Sequence, residues 1–286
     1  MDARKIMFFD IDGTLMDESS EHVKPESTLR ALSLARAAGN LLFINTGRPR
    51  SVVGDDVREM GFDGFVYGCG TNIEIYGREV FYHTVEPEVC ADTVRLVREC
   101  DATPMYERRD GVFFDPLTRD LALEDEEKEG FVITATDTRG CGRWQIWQRS
   151  FVPKGLSVSR TVDDKDFGFD KFVICYDERT DLARFKRGIE GRFDFIDRGW
   201  GFAELVPCGF SKGGGIDAVI DACGIDLSRS YAIGDSLNDL PMKGHVGTFI
   251  SMGNGEKLKP HADYVTDDIH ADGLYNAMKH FGFFRA

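Results

Sequence analysis

The stretch KIMFFDIDGTLMD, residues 5–17, sets four apolar residues directly against two aspartates and a glycine. A run as short and as apolar as Ile6-Met7-Phe8-Phe9 reads as a strand buried on both faces, the kind a parallel sheet holds at its centre. Carboxylates at the end of such a strand are costly to desolvate, and Asp10 and Asp12 repel each other as well. A hard divalent cation removes both costs: Mg2+ takes oxygen ligands and usually keeps waters and a phosphate oxygen in its shell. Gly13 lets the chain turn at once, and Thr14 is expected to hydrogen-bond its own loop.

Outward from this stretch, Leu41-Leu42-Phe43-Ile44, Phe65-Val66-Tyr67 and Tyr231-Ala232-Ile233 are similar short runs, each ended by Gly, Asp, Asn or Thr. Between the first two strands lies Pro25 to Ala38, whose Leu29, Leu32 and Ala35 are spaced for one helix face, with Gly39 as a C-cap. That is a βαβ unit. Helices are expected at 49–60, 213–223 and 272–281, and strands at 246–251 and 263–266, so both ends of the chain read as α/β with a parallel sheet.

The middle reads differently. Asn72 to His83 is expected to form a hairpin turning at Gly77-Arg78, followed by a helix over 86–100 with Val89, Thr93, Leu96 and Val97 on one side. Then come a solvated charged turn, EDEEKE at 124–129, and alternating strands that include RWQIWQR at 143–149. A helix near 181–190 and a closing hairpin, FDFIDRGWGFAELVP, complete this part. The expected architecture is α/β: a Rossmann-like, doubly wound parallel sheet core from residues 1–83 and 208–286, with an α+β domain inserted at 84–207.

Composition narrows the function classes. Among 286 residues, 49 acidic against 35 basic give a net charge of −14, a sign that repels nucleic-acid phosphates and argues against a nucleic-acid partner. No apolar run approaches the roughly 18 residues of a membrane helix, and the patch after Lys5 is too short for a secretory signal, so no membrane role and a cytoplasmic address are expected. The seven cysteines are odd in number and never form C-x-x-C, which points to reduced, mostly core-filling thiols.

Asp10 follows IMFF, Thr46 follows LLFIN and Asp235 follows YAIG. Each therefore sits at the carboxyl end of a parallel strand, where open α/β sheets place their ligand crevice. With these positions in hand, the chain resembles the haloacid dehalogenase superfamily, and within it the Cof-type phosphatases with a large α/β cap. The resemblance rests on Asp10-Ile11-Asp12-Gly13-Thr14, Asn45-Thr46-Gly47-Arg48, Ser211-Lys212-Gly213 and Gly234-Asp235-Ser236-Leu237-Asn238-Asp239, in that order. The segments 203–213 and 250–274 are similar to the family as well.

The resemblance implies a Mg2+-dependent hydrolase of small phosphate monoesters. Asp10 would attack phosphorus to form an aspartyl-phosphate, and Asp12 would protonate the leaving oxygen and then deprotonate water. Thr46, Gly47 and Lys212 would hold the phosphoryl oxygens, Lys212 also letting an anionic nucleophile approach an anionic ester. Mg2+ would be held by Asp10, the backbone carbonyl of Asp12 and Asp235, with Asn238 and Asp239 supporting that shell. The inserted domain, as a cap, would choose the substrate and exclude bulk water.

DIDG is no EF-hand, since Gly13 comes fourth and follows a strand. GDSLND alone is ordinary helix-capping chemistry, and gains weight only beside the first motif. Gly213-Gly214-Gly215 and Gly68-x-Gly70 match no nucleotide-binding pattern and read as turns. Arg139, Arg143, Trp144, Trp147 and Arg149 suit an aromatic or sugar phosphate, although alternating aromatics on a strand are more often packing. Lys171 carries little weight on its own. Two alternatives stay open: a sugar phosphomutase with the same nucleophile, and a non-catalytic ligand-binding protein.

Overall fold

The computed structural model describes residues 4–17, 22–115, 117–118, 162–199 and 201–285. EDEEKE, RWQIWQR and the cluster Arg139, Arg143, Trp144, Trp147 and Arg149 lie outside the described residues. The chain divides into two units, one of Met1–Gly47, Gly54–Tyr82 and Phe210–Ala286, the other of Arg48–Val53 and His83–Gly209.

The first unit begins with β1 (Ile6–Phe9), α1 (Glu26–Ala37), β2 (Leu41–Asn45), α2 (Asp55–Arg58), β3 (Gly64–Tyr67), β4 (Asn72–Ile75) and β5 (Arg78–Tyr82). The second unit contributes α3 (Pro87–Glu99), β6 (Thr103–Arg108), β7 (Gly111–Phe114), β8 (Lys171–Cys175), α4 (Leu182–Ile189), β9 (Phe193–Gly199) and β10 (Phe202–Pro207). The chain then returns to the first unit as α5 (Lys212–Cys223), β11 (Ser230–Gly234), β12 (Thr248–Ser251), β13 (Tyr264–Val265) and α6 (Gly273–His280).

Eight strands of the first unit form one sheet in the order β13-β12-β11-β1-β2-β3-β4-β5. Pairing is parallel from β13 through β3 and antiparallel at β3–β4 and β4–β5. Ile6 to Phe9 are fully buried, as expected for a central strand. This is the α/β architecture that the sequence leads to, with an antiparallel hairpin closing one edge.

Several local expectations are corrected. The buried stripe of α1 is Thr28, Ala31, Leu32 and Ala35, while Leu29 is turned outward and exposed. Leu29 and Leu32 do lie three apart, but the face is set by the packing of the whole turn. The expected helix at 49–60 is broken: a 3-10 turn at Arg50–Val52 and the four-residue α2 are separated by extended Val53 and Gly54. The β4–β5 turn is made by Tyr76 and Gly77, both left-handed at φ 49° and 73°, so Arg78 already belongs to β5. Gly213, Gly214 and Gly215, read as a turn, lie in the first turn of α5, inside the helix expected at 213–223, while Gly68 to Gly70 do form a turn.

Among the described residues of the second unit, five strands form an antiparallel sheet, β7-β6-β8-β10-β9. Tyr106, Phe172, Ile174, Ala203 and Leu205 line one face and pack with Cys90, Val94 and Val97 of α3 and Phe185 of α4. The face of α3 is thus centred on Cys90, Thr93, Val94 and Val97, with Val89 and Leu96 at its margin. On the opposite face Met105, Val112 and Val173 pack with Val52. Buried Lys171 is neutralised there by Glu107 Oε2 at 2.8 Å and Glu204 Oε1 at 2.6 Å.

Every described cysteine is free: Cys69, Cys90 and Cys100 are buried, while Cys208 is exposed. Among the described residues no helix is long and apolar enough to cross a membrane.

Candidate active site

Asp10 follows the fully apolar β1, and its backbone N–H donates to the Ile233 carbonyl of β11 at 3.1 Å. The bond carries the strand ladder one residue further and fixes where the carboxylate stands. Thr46 follows β2 in the same way, its N–H bonded to the Val66 carbonyl at 2.9 Å. Asp10 and Thr46 are buried, while Asp12, Gly47 and Asp235 are half-buried.

Lys212 reaches this point from the other side of the sequence. Ser211 caps α5 by accepting from the Gly214 N–H at 3.0 Å, and the Asn45 side-chain amide donates to the Lys212 carbonyl at 2.9 Å. The Lys212 ammonium donates to Asp10 Oδ1 at 2.7 Å and to Asp239 Oδ1 at 2.6 Å. Asp239 spends its other oxygen on the backbone N–H groups of Asp235 and Ser236, both at 3.1 Å. One buried carboxylate therefore ties the lysine to the end of β11.

Asp10, Asp235 and Asp239 each offer an oxygen, and these lie within 4.8 Å of one another. Among them Asp239 is already committed on both oxygens, which leaves Asp10 and Asp235 as the carboxylates suited to a cation. Thr14 Oγ1 donates to Asp235 Oδ1 at 3.3 Å, across the site rather than within its own loop as expected. Gly13 has φ +74°, and a Cβ there would lie 2.3 Å from Asp235 Oδ2, so only glycine admits this approach of the two loops. Asn238 Oδ1 accepts from the Ser236 hydroxyl, and the support for Lys212 comes from Asp239.

The electrostatics follow from this crowding of acids. Burial, and then the charge of Asp239, push the Asp10 carboxyl up to about 7, against the opposing pull of Lys212; Asp12 adds a further push. Burial opposes the Lys212 charge, yet Asp10 and Asp239 outweigh it and hold the ammonium well above its usual range. Two buried acids, Asp10 and Asp239, thus share one lysine, and the clustered carboxylate oxygens are a donor set that suits a hard dication.

Sequence reasoning overlooked Asn254 and Gly255. The Asn254 amide donates to the Gly13 carbonyl at 2.8 Å, and a Cβ on Gly255 would fall 2.5 Å from the Asp235 carbonyl. Asn254 thus ties this loop to the first acidic loop, and the bare Cα of Gly255 admits its close approach to the second. The glycine next to a polar amide in MGNG was the available signal, but nothing local to it pointed to residues 13 and 235.

A model of haloacid dehalogenase-like hydrolases matches residues 7–278. YkrA of Bacillus subtilis, which carries the designation of a phosphatase, is 29% identical over 97% of this chain and 98% of its own. The pyridoxal phosphate phosphatase YbhA of Escherichia coli is 23% identical over 94% of this chain and 96% of its own. The crystal structure of a protein from Geobacillus kaustophilus superposes with a TM-score of 0.78 at 25% identity, covering 99% of this chain and 100% of that one. The chain therefore belongs to the haloacid dehalogenase-like hydrolases.

Proposed function

We propose that this protein is a Mg2+-dependent hydrolase of small phosphate monoesters, such as a sugar phosphate or a similar metabolite, working through an aspartyl-phosphate on Asp10. The observation that carries the reading is the Lys212 ammonium held between Asp10 and Asp239, with Asp235 alongside. Its neighbourhood to a pyridoxal phosphate phosphatase in sequence supports a small phosphate ester as substrate.

In this reading an Asp10 oxygen bonds to phosphorus as the ester P–O bond breaks, and Asp12 gives the departing alkoxide its proton. Water then attacks the phosphoryl group, Asp12 takes the proton back, and Asp10 is regenerated with release of inorganic phosphate. Thr46, Gly47 and Lys212 hold the phosphoryl oxygens through both halves. Asp10, the Asp12 carbonyl and Asp235 would hold Mg2+, supported by Asn238 and Asp239. When bound, the cation supplies positive charge against the phosphoryl oxygens and the clustered carboxylates.

The test is phosphate release from a panel of hexose phosphates, pyridoxal phosphate, nucleotides and polyol phosphates. Activity is expected with Mg2+, to be lost with EDTA and to return on adding Mg2+. Isomerised hexose phosphate without free phosphate would identify a mutase instead, and tight binding without turnover would identify a non-catalytic protein.

A further inference from the structure

Asp217 and His245 lie outside the carboxylate cluster and are bonded to each other. His245 Nδ1 stands 2.8 Å from Asp217 Oδ2, with the side chains 37% and 55% exposed. Asp217 is on α5, one and a half turns beyond Lys212. His245 ends the segment that carries Asp239, a 3-10 stretch at Leu237–Met242 closed by His245 N–H donating to the Met242 carbonyl at 3.1 Å.

The two elements meet at Gly213. A Cβ on this residue would lie 2.3 Å from the Pro241 carbonyl oxygen, 2.4 Å from His245 Cδ2 and 2.6 Å from His245 Nε2. The bare Cα of Gly213 is therefore pressed between the imidazole ring and the backbone of the Asp239 segment. Gly214, next in the helix, would meet only Ser211 Oγ at 3.7 Å. The separation of Lys212 from Asp239 is thus set at two points, by their own ion pair inside and by the His245–Asp217 contact outside.

We propose that His245, held by Asp217, is a positioning residue for Lys212 and Asp239. It fixes the Asp239 segment against the first turn of α5, so that the ammonium and the carboxylate keep their register with Asp10. This rests on the phosphatase reading above for its consequence in turnover, but not for its geometry.

The experiment uses p-nitrophenyl phosphate with Mg2+. His245→Ala is expected to lower kcat about tenfold, the scale of losing a support behind a ligand, with a melting temperature near that of the wild type because the pair is exposed. His245→Asn can still donate to Asp217 and is expected to recover most of the rate. Asp217→Asn combined with His245→Ala should be no worse than His245→Ala alone. Gly213→Ala should reproduce the loss, and Gly214→Ala should not. Calorimetric titration with Mg2+ reads the same displacement without turnover, through weaker binding in His245→Ala. A His245→Ala variant with wild-type kcat and Mg2+ affinity, or an equal loss in His245→Asn, overturns the proposal. A wild type inactive on every ester overturns the phosphatase reading instead, and the titration still decides the role of His245.

Discussion

Replacing Asp10 by Asn is expected to reduce phosphate release at least about a thousandfold while leaving the protein folded. The amide has the shape of the carboxylate but no lone pair of comparable nucleophilicity. Folding tolerates the change because the carboxylate is not at ease where it stands. Burial and Asp239 push its pKa up to about 7, so the fold disfavours its charged form, and a neutral isostere relieves that cost. In metal-free buffer the Asp10→Asn melting temperature should equal or exceed that of the wild type, and the stabilisation the wild type gains from Mg2+ should shrink. Retained turnover would remove Asp10 from the role of nucleophile.

Lys212→Met has the larger effect on stability. Lys212 and Asp239 are 1% and 0% exposed as side chains, and the lysine is the shared cation of two buried acids. Removing one member of a buried ionic group leaves its partners charged and unpaired, which costs about 3–5 kcal/mol. Urea unfolding of Lys212→Met should show that loss, along with loss of turnover. Adding Asp239→Asn should recover part of it, since Asn can still accept the Asp235 and Ser236 N–H bonds while shedding the unpaired charge. Lys212→Met within about 1 kcal/mol of wild type would mean that the ammonium is not the centre of this cluster.

The helices and turns show where reading by spacing stops. Leu29 and Leu32 fit a helix period, yet the buried stripe runs through Thr28, Ala31, Leu32 and Ala35, and Leu29 lies one position, about 100°, to its side. Gly213-Gly214-Gly215 read as a turn at the start of the helix expected over 213–223, where each glycine costs about 1 kcal/mol of helix propensity. In the fold, Gly213 admits His245 and Pro241, and Gly215 would place a Cβ 2.3 Å from Val66 Cγ1. Tertiary contact at the bare Cα offsets the propensity, and only the partner's position reveals it.

By itself the sequence determined the parallel sheet, through short runs too apolar for any exposed strand, and the place of Asp10, Thr46 and Asp235 just past the ends of β1, β2 and β11. What the tertiary structure decided is which acid answers which neighbour. Asp239 is committed to Lys212 and to the end of β11, Thr14 reaches Asp235, and Asn254 clasps Gly13. These bonds join residues up to 241 positions apart. Periodicity reports the environment of a residue within its own element, whereas a hydrogen bond between loops depends on distances that exist only after the strands have assembled.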